Sequence, residues 1–149
     1  MNCYTKKIGL LFVLFVSVIS CNRVKTIPEV KETYADGKPK IIEEYITDEN
    51  GKKILYKETH YFPSEKKYIS GTYNNSRLRN GIWTSWYENG QKNSEYNFIN
   101  GKEDGVYNVW HPNGNQWIKG EYKMGQEVGV WTFHDTLGKV MKEVDFGGK

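Results

Sequence analysis

Leucine and alanine are scarce in this chain of 149 residues. After the first 20 residues it holds only Leu55, Leu78, Leu137 and Ala35, and these two residue types are among the best helix formers. Aromatic residues and glycine are frequent instead, with 5 Trp, 11 Tyr, 6 Phe and 15 Gly. Aromatic side chains favour strands, and glycine favours tight turns. The composition therefore excludes long helices and predicts short strands within one domain.

An excess of charge of either sign is missing as well. The chain has 21 Lys and Arg against 18 Asp and Glu, and two of the basic residues, Lys6 and Lys7, lie within the first 20 positions. The rest of the chain therefore has a net charge of only +1. Proteins that bind nucleic acid usually carry a basic patch. We therefore expect no nucleic-acid partner.

The one long apolar run is too short to span a membrane. It covers residues 8–19, directly after Lys6 and Lys7, whereas a spanning helix needs about 20 apolar residues. A basic start followed by a short apolar run is typical of a signal peptide. The run ends in residues 18–21, Val-Ile-Ser-Cys, which resemble a bacterial lipoprotein signal. An ordinary secretory signal with an incidental cysteine, or a weak N-terminal anchor, is the alternative.

The lipoprotein resemblance implies that residues 1–20 are removed and that Cys21 becomes a diacylated N-terminus. Two acyl chains hold a protein on a membrane stably, whereas one chain gives marginal binding. Cys3 would leave with the signal, so neither of the two cysteines would remain for a disulfide or a thiolate metal site. Asn22 follows Cys21 in place of the Asp that favours inner-membrane retention in Gram-negative lipoproteins. We therefore expect a lipid-anchored protein of the bacterial cell envelope, at the outer membrane or cell surface more than at the inner membrane.

A period of 24 residues governs the C-terminal half of the chain. The regular units cover 81–104, 105–128 and 129–149. Each unit opens with a glycine, has an aromatic residue two positions later, a Trp or His three further on, and another glycine in its turn. The equivalent residues are Gly81, Gly105 and Gly129, then Trp83, Tyr107 and Trp131, then Trp86, Trp110 and His134, and then Gly90, Gly114 and Gly138, while Gly101 and Gly125 lead into the next unit.

Each unit is predicted to form a strand, a turn and a returning strand. In the first returning strand, alternation places Lys92, Ser94 and Tyr96 on one face and Asn93 and Glu95 on the other. A single hairpin cannot bury its apolar side, so successive units must pair edge to edge. The sequence therefore predicts an all-β fold, an elongated antiparallel meander of β-hairpin repeats in a single sheet.

A looser form of the pattern extends towards the N-terminus. Asp36-Gly37 and Asn50-Gly51 are hairpin turn signals, and the residues around them favour strands. The repeat domain is therefore placed at 34–149. The preceding segment, 21–33, is interpreted as the lipidated cysteine followed by a flexible tether.

The units resemble the MORN-variant repeat. Residues 81–90, Gly-Ile-Trp-Thr-Ser-Trp-Tyr-Glu-Asn-Gly, and residues 105–114, Gly-Val-Tyr-Asn-Val-Trp-His-Pro-Asn-Gly, fit its pattern well, and 129–138 fits less well, with Leu137 in place of Asn. The resemblance implies a sheet of hairpin repeats and a role in membrane attachment, lipid contact or protein scaffolding. Bacterial members, often lipoproteins, are grouped as YwqK-type and carry an antitoxin label. The motif specifies architecture and leaves activity open.

No catalytic, cofactor or metal site is predicted. His60, His111 and His134 occupy different repeat positions, without a carboxylate or a second histidine at ligand spacing. Residues 48–51, Asp-Glu-Asn-Gly, lack the remaining ligands of a calcium loop and are interpreted as a hairpin turn. Neither a phosphate-binding loop nor a nucleophile elbow occurs, so we expect no enzyme activity and no cofactor.

The regularly spaced aromatic residues are the candidate binding surface. Trp83, Tyr107 and Trp131 should form a row across the sheet, and Trp86 and Trp110 complete the candidate set. Tyr and Trp are enriched at interfaces, although such a row can also stabilise a single-layer sheet. We therefore expect a non-enzymatic binding or scaffolding module with an envelope protein, glycan or lipid as its partner. An antitoxin-like component of a toxin–antitoxin system, or an envelope hydrolase, is the alternative.

Overall fold

The computed structural model describes residues 24–148, which form one sheet of ten antiparallel strands. Each strand pairs with its neighbours in chain order, so the sheet is an uninterrupted meander. This confirms the predicted fold. The strands are β1 (Ile27–Thr33), β2 (Pro39–Thr47), β3 (Lys53–Tyr61), β4 (Lys67–Thr72), β5 (Gly81–Trp86), β6 (Lys92–Ile99), β7 (Lys102–Trp110), β8 (Gln116–Lys123), β9 (Gln126–His134) and β10 (Val140–Asp145).

The N-terminal part of the sheet corrects one prediction. The predicted lipoprotein signal and Cys21 lie outside the described residues. The tether predicted for 21–33 is wrong in its second half, because residues 27–33 form the strand β1, which pairs with β2. Most side chains of β1 are exposed. An edge strand tolerates both Pro28 and charged side chains, so the polarity of this segment reflects its place at the edge of the sheet. Within 24–148, no helix is long and apolar enough to cross a membrane.

The core of the molecule lies on one face of the sheet, here called the aromatic face. Trp83 is 1% exposed and Trp131 is 3% exposed, although residues 24–148 form no second layer over them. Neighbouring rings cover them instead: the ring centroid of Tyr73 lies 5.2 Å from Trp83, and that of Tyr107 lies 5.1 Å from Trp131. The guanidinium of Arg79 lies 4.1 Å from the centre of Trp83. Contacts of this kind between strands therefore replace the usual packing between layers.

Glycine on the adjacent strand makes room for each tryptophan. A Cβ atom at Gly71 would lie 2.2 Å from the ring of Trp83, and one at Gly120 would lie 2.2 Å from the ring of Trp131. Both distances are far inside van der Waals contact, so only glycine fits beneath these rings. In the middle unit, the aromatic residue is the smaller Tyr107, and Tyr96 on the adjacent strand packs edge-on against it at 4.7 Å between centroids.

The opposite face is largely polar. Strand pairing aligns a row of mostly hydrophilic side chains across it: Thr59, Ser70, Thr84, Glu95, Asn108, Lys119, Thr132 and Glu143. The Thr59 and Ser70 hydroxyls are hydrogen-bonded at 2.8 Å. Ile82, Val106 and Val130, which occupy the same position in successive units, are exposed on this face, and Val106 lines cavities of about 580 and 260 Å³ there. The sheet is therefore two-sided, as expected of an antiparallel sheet that packs on one face only.

The turns confirm the predicted hairpin signals. In the turn of the first regular unit, the N–H of Gly90 donates to the carbonyl of Tyr87, and Gly90 has a φ of 90°, which favours glycine. The same hydrogen bond occurs at Gly37, Gly51, Gly114 and Gly138. At the other end of the regular units, Asn100-Gly101 and Met124-Gly125 form two-residue turns with positive φ at both positions. As a result β7 and β9 begin three residues before the predicted unit boundaries at Gly105 and Gly129.

Side chains link successive turns along one edge of the sheet. The first turn residue donates to a carbonyl just before the next turn on that edge: Tyr34 to Tyr61 at 2.7 Å, Tyr87 to Trp110 at 2.8 Å, and His111 Nε2 to His134 at 3.0 Å. Asparagine amides add a second link, from Asn89 to the Pro112 carbonyl at 2.9 Å and from Asn113 to the Thr136 carbonyl at 2.7 Å. We call this series the turn ladder. In the last described turn, Asp135 instead accepts hydrogen bonds from its own loop, and Leu137 is 86% exposed.

The first prediction concerns the glycine beneath Trp131. Replacing Gly120 by Ala should destabilise the full-length protein by about 1–3 kcal/mol, because the added methyl group overpacks the ring. The double variant Gly120→Ala/Trp131→Tyr should lose less than the sum of the two single variants, since the smaller ring relieves the overlap. Urea unfolding in detergent solution measures both effects. Strictly additive losses would contradict this account of the pair.

The second prediction concerns the turn ladder. Replacing Asn89 by Ala removes its bond to the Pro112 carbonyl and should cost about 1 kcal/mol of unfolding free energy. Leu137→Ala is the matched control, because Leu137 occupies the same turn position but is 86% exposed, and it should change stability by less than about 0.5 kcal/mol. Urea midpoints of the two variants provide the comparison. Equal losses would show that the ladder contributes nothing.

Candidate functional site

A cleft of about 540 Å³ opens on the aromatic face between β4 and β8. Its floor includes Ser85, Ser94 and Val109, which face one another in the strand register. Tyr68 and Trp117 stand at its two sides and are 47% and 43% exposed. A cavity of this size, with aromatic side chains and a few polar groups, is typical of a ligand site.

Bulges in the strands place the side residues of the cleft. In β8 the register passes from Ile118 directly to Gln116, so Trp117 is the extra residue, and Tyr68 in β4 is skipped in the same way. Asn93 is the extra residue of β6. A bulge re-aims a side chain relative to strict alternation. The prediction that Asn93 lies on the face opposite Ser94 is therefore wrong, because both residues line the cleft.

The same bulge corrects the position of Lys92. Alternation predicted it on the face of Ser94, but its ammonium lies 2.5 Å from the carboxylate of Glu95 and 5.6 Å from the ring centre of Trp110. Glu95 belongs to the polar row of the opposite face. Lys92 therefore lies on the opposite face, and Asn93 lines the cleft in the position that alternation predicted for Lys92.

The polar groups of the cleft are arranged to exchange hydrogen bonds. The hydroxyls of Ser85 and Ser94 lie 2.6 Å apart at its floor, and Arg79 and Glu103 supply one charge of each sign. Burial, followed by a hydrogen bond with Tyr96, raises the pKa of Tyr107 well above its ordinary value. This phenol therefore stays protonated and adds no charge to the cleft. The arrangement suits neutral ligands that both donate and accept hydrogen bonds.

Burial likewise raises the pKa of Tyr122, with the charge of Glu127 as the next cause. The ring of Tyr122 contacts Tyr107 edge-on at 5.5 Å between centroids and Trp131 at 5.1 Å. Tyr122 therefore extends the aromatic face beyond the cleft as a neutral side chain.

The five aromatic residues predicted as a binding surface divide between the two faces. Trp83, Tyr107 and Trp131 form the expected row, in which Tyr96 and Gly120 occupy the intervening strands. Because Trp83 and Trp131 are almost completely buried, their first role is to form the core. Trp83 also donates its indole N–H to the Thr72 carbonyl at 3.0 Å, whereas the indole nitrogen of Trp131 has no partner among residues 24–148.

Trp86 and Trp110 do not join this row. Each directly follows a residue of the cleft floor, Ser85 or Val109, so alternation places both on the opposite face, where they are half-buried. Of the five predicted residues, only Trp83 and Tyr107 line the cleft, and Tyr107 is the more exposed of the two, because Trp83 is 1% exposed.

The histidines and Asp48 have local structural partners. His60 Nε2 lies 2.7 Å from the Glu58 carboxylate, His111 takes part in the turn ladder, and His134 Nδ1 lies 3.4 Å from the Trp117 carbonyl. Asp48 accepts hydrogen bonds from the Asn50 and Lys52 backbone, as predicted for a hairpin turn. Across the described part of the chain, no group of three or more His, Cys, Asp and Glu could hold a metal ion.

The comparison with protein families identifies one unit of the repeat. Residues 79–100 match the MORN repeat variant. The matched segment contains β5, its turn and β6, and the next four strands repeat the same hairpin twice. Repeats of this family are typically non-catalytic. No curated protein and no solved structure matches the chain.

Sequence reasoning missed Tyr68, Asn93 and Trp117 as residues of one site. The signal was present, since Asn93 and Trp117 are separated by one repeat of 24 residues. Strict alternation, however, assigned the position to the polar face. Only the bulge in each returning strand shows that these side chains share the cleft.

Proposed function

We propose that this protein is a lipid-anchored, non-enzymatic binding module of the bacterial cell envelope, which holds its partner in the cleft of the aromatic face. The observation that carries the proposal is the 540 Å³ cleft itself, where exposed rings surround paired hydroxyls and a protonated tyrosine. Volumes of about 300–1,000 Å³ are usual for ligand sites. A matched MORN repeat variant supports a binding or scaffolding role over a catalytic one.

The proposed anchor suits this role because it lies close to the sheet in sequence. Five residues separate Cys21 from the start of β1 at Ile27, and a chain of this length reaches at most about 20 Å. With neighbouring strands about 4.8 Å apart, the centre of the cleft at β6 lies about 24 Å from β1 across the sheet. A lipidated Cys21 would therefore hold β1 near the membrane and leave the cleft available to a partner further out.

The antitoxin and hydrolase alternatives stay predictions. The antitoxin label depends on membership of the YwqK-type family. The matched repeat supports an architecture alone and does not establish that membership. A hydrolase would use an acid and a base that converge on one point. The charged side chains of the cleft, Arg79 and Glu103, have opposite signs, and Arg79 lies over the ring of Trp83.

The third prediction tests the cleft in living cells. A photo-crosslinking amino acid at Asn93, inside the cleft, should capture one specific partner in the producing bacterium. The same amino acid at Val106, exposed on the opposite face, is the matched control and should capture much less. Mass spectrometry of the two adducts makes the comparison. Equal capture from both faces, or capture from neither, would contradict the proposal.

The fourth prediction tests the anchor. Replacing Cys21 by Ser should remove the acylated thiol, leave the signal uncleaved at this site and shift the protein out of the detergent phase that lipoproteins enter. Metabolic labelling with a fatty acid should mark the wild type and not the variant. Cys3→Ser is the matched control and should keep the label. Unchanged labelling of Cys21→Ser would exclude lipidation at this residue.

A further inference from the structure

One position of the fold differs chemically in every hairpin, while its surroundings repeat. The bulge of the returning strand leaves one unpaired residue at the same place in the ladder five times. We call these residues the bulge row: Lys40, Tyr68, Asn93, Trp117 and Met141. Glycines and buried aromatic residues recur around them because these residues form the turns and the core of the sheet. In a repeat protein, an accessible position whose residue differs between units, while the surrounding structure stays the same, can determine which ligand is bound.

Two cavities of the aromatic face lie along the bulge row, whereas a third, of about 590 Å³ and lined by Tyr45, Lys53 and Leu55, contains none of its members. Tyr68, Asn93 and Trp117 line the 540 Å³ cleft, and Lys40 and Tyr68 line a second cavity of about 260 Å³ on its N-terminal side. Tyr68, Trp117 and Met141 are among the exposed large hydrophobic residues of the protein. A ligand lying across the strands would therefore meet one bulge side chain after another.

Each ring of the bulge row is held by a turn residue packed behind it. The ring of Trp117 stacks on His111 with centroids 5.2 Å apart and 23° between the planes, and Tyr68 packs against Phe62 at 5.1 Å. His111 is itself fixed by its bond in the turn ladder. These contacts pre-organise the exposed rings, which lowers the entropy that binding must overcome.

The spacing of the bulge row selects the conformation of the ligand. Consecutive members lie two strands apart, which corresponds to about 9.6 Å. A polyproline II helix has three residues per turn and rises about 3.1 Å per residue, so every third side chain recurs after about 9.3 Å. An extended β-strand, with alternate side chains about 6.8 Å apart, does not match this spacing. The polyproline II conformation is therefore the peptide geometry that fits.

We propose that the bulge row binds a proline-rich peptide segment in the polyproline II conformation, with Tyr68, Asn93 and Trp117 each contacting one turn of it. This proposal rests on the proposed function and specifies its partner. Aromatic-lined grooves are a known means of binding such segments, whose stiffness limits the entropy lost on binding. The polyproline II backbone makes no internal hydrogen bonds. The Asn93 amide and the cleft hydroxyls supply donors for its free carbonyls.

The test uses the full-length protein in detergent and two synthetic twelve-residue peptides. The first repeats Pro-Pro-Ala four times, and the second repeats Gly-Gly-Ala four times and does not hold the helix. Isothermal titration calorimetry should show binding of the first peptide and at least about tenfold weaker binding of the second. Equal affinity for the two peptides, or no binding of the first at millimolar concentration, would overturn the proposal.

Variants of the bulge row provide the second arm. Trp117→Asn should weaken binding of the proline peptide at least about tenfold, and Tyr68→Asn should do the same. Asparagine occupies this position at Asn93 in the wild type, so the fold accommodates it there. Val106→Ala on the opposite face is the control and should leave the dissociation constant unchanged. An unchanged constant in Trp117→Asn, or an equal loss in Val106→Ala, would overturn the assignment.

A soluble envelope glycan fragment is the competing ligand, because rings and hydroxyls can also bind sugars. If the glycan binds with dependence on Trp117 and the proline peptide does not, this proposal is wrong while the cleft keeps its function. Capture by the crosslinker at Asn93 without peptide binding leads to the same conclusion. Failure of the crosslinking and of both ligands together would remove the proposed function as well.

Discussion

The packing of tryptophan on glycine across neighbouring strands is the contact on which the rest of the structure depends. A single-layer sheet has no second layer to cover its apolar side, so large rings must lie flat along the sheet and cover one another. Trp83 and Trp131 can do so because Gly71 and Gly120 leave the space beneath them free. The Tyr96–Tyr107 contact solves the same problem with two rings of intermediate size. The centre of the aromatic face is thereby filled, and side chains available for recognition are displaced towards one end of the strands.

The positions of the repeat differ in what the structure requires of them, and this difference allows the repeat to bind different ligands. Residues at the centre of the aromatic face are restricted to those that pack, and residues in the turns are restricted to those that adopt positive φ or bond to the next turn. The bulge position is subject to neither restriction, and it carries an amide at Asn93, an indole at Trp117 and a thioether at Met141. One architecture can therefore carry different recognition surfaces, since changes at the bulge leave the packing of the rings intact.

The sequence predicts much of this fold because its signals are local and repeated. Turn glycines such as Gly90 and Gly114, and aromatic residues every 24 positions, are sufficient to predict a hairpin meander. Two features of the structure cannot be predicted from such local signals. β1 is polar because it is an edge strand, and an edge strand and a tether have similar compositions. Asn93 lies in the cleft because β6 has one residue more than β5 between two successive paired positions. The sequence of β6 alone does not show this extra residue, because it is defined by the pairing with β5.

Burial was equally hard to foresee from a repeat pattern. Trp83 and Trp86 look alike in sequence, yet only Trp83 shares its face with Arg79 and Tyr73, which lie outside the three regular units. The number of tryptophans is therefore a poor guide to the area offered to a ligand. The less regular positions, Tyr68 and Trp117, provide more of that area.

All the hydrogen bonds of the turn ladder run the same way along the chain, from a donor in one turn to an acceptor at a later turn. Each link has a donor in one turn and an acceptor in or just before the next, so a unit inserted between two others would bring both partners with it and restore the chain of bonds on each side. A hairpin added beyond the last described turn would meet Asp135, whose carboxylate is occupied by its own loop, and Leu137, which has no amide to donate. The number of repeats can therefore grow by duplication within the array more readily than by addition at this end.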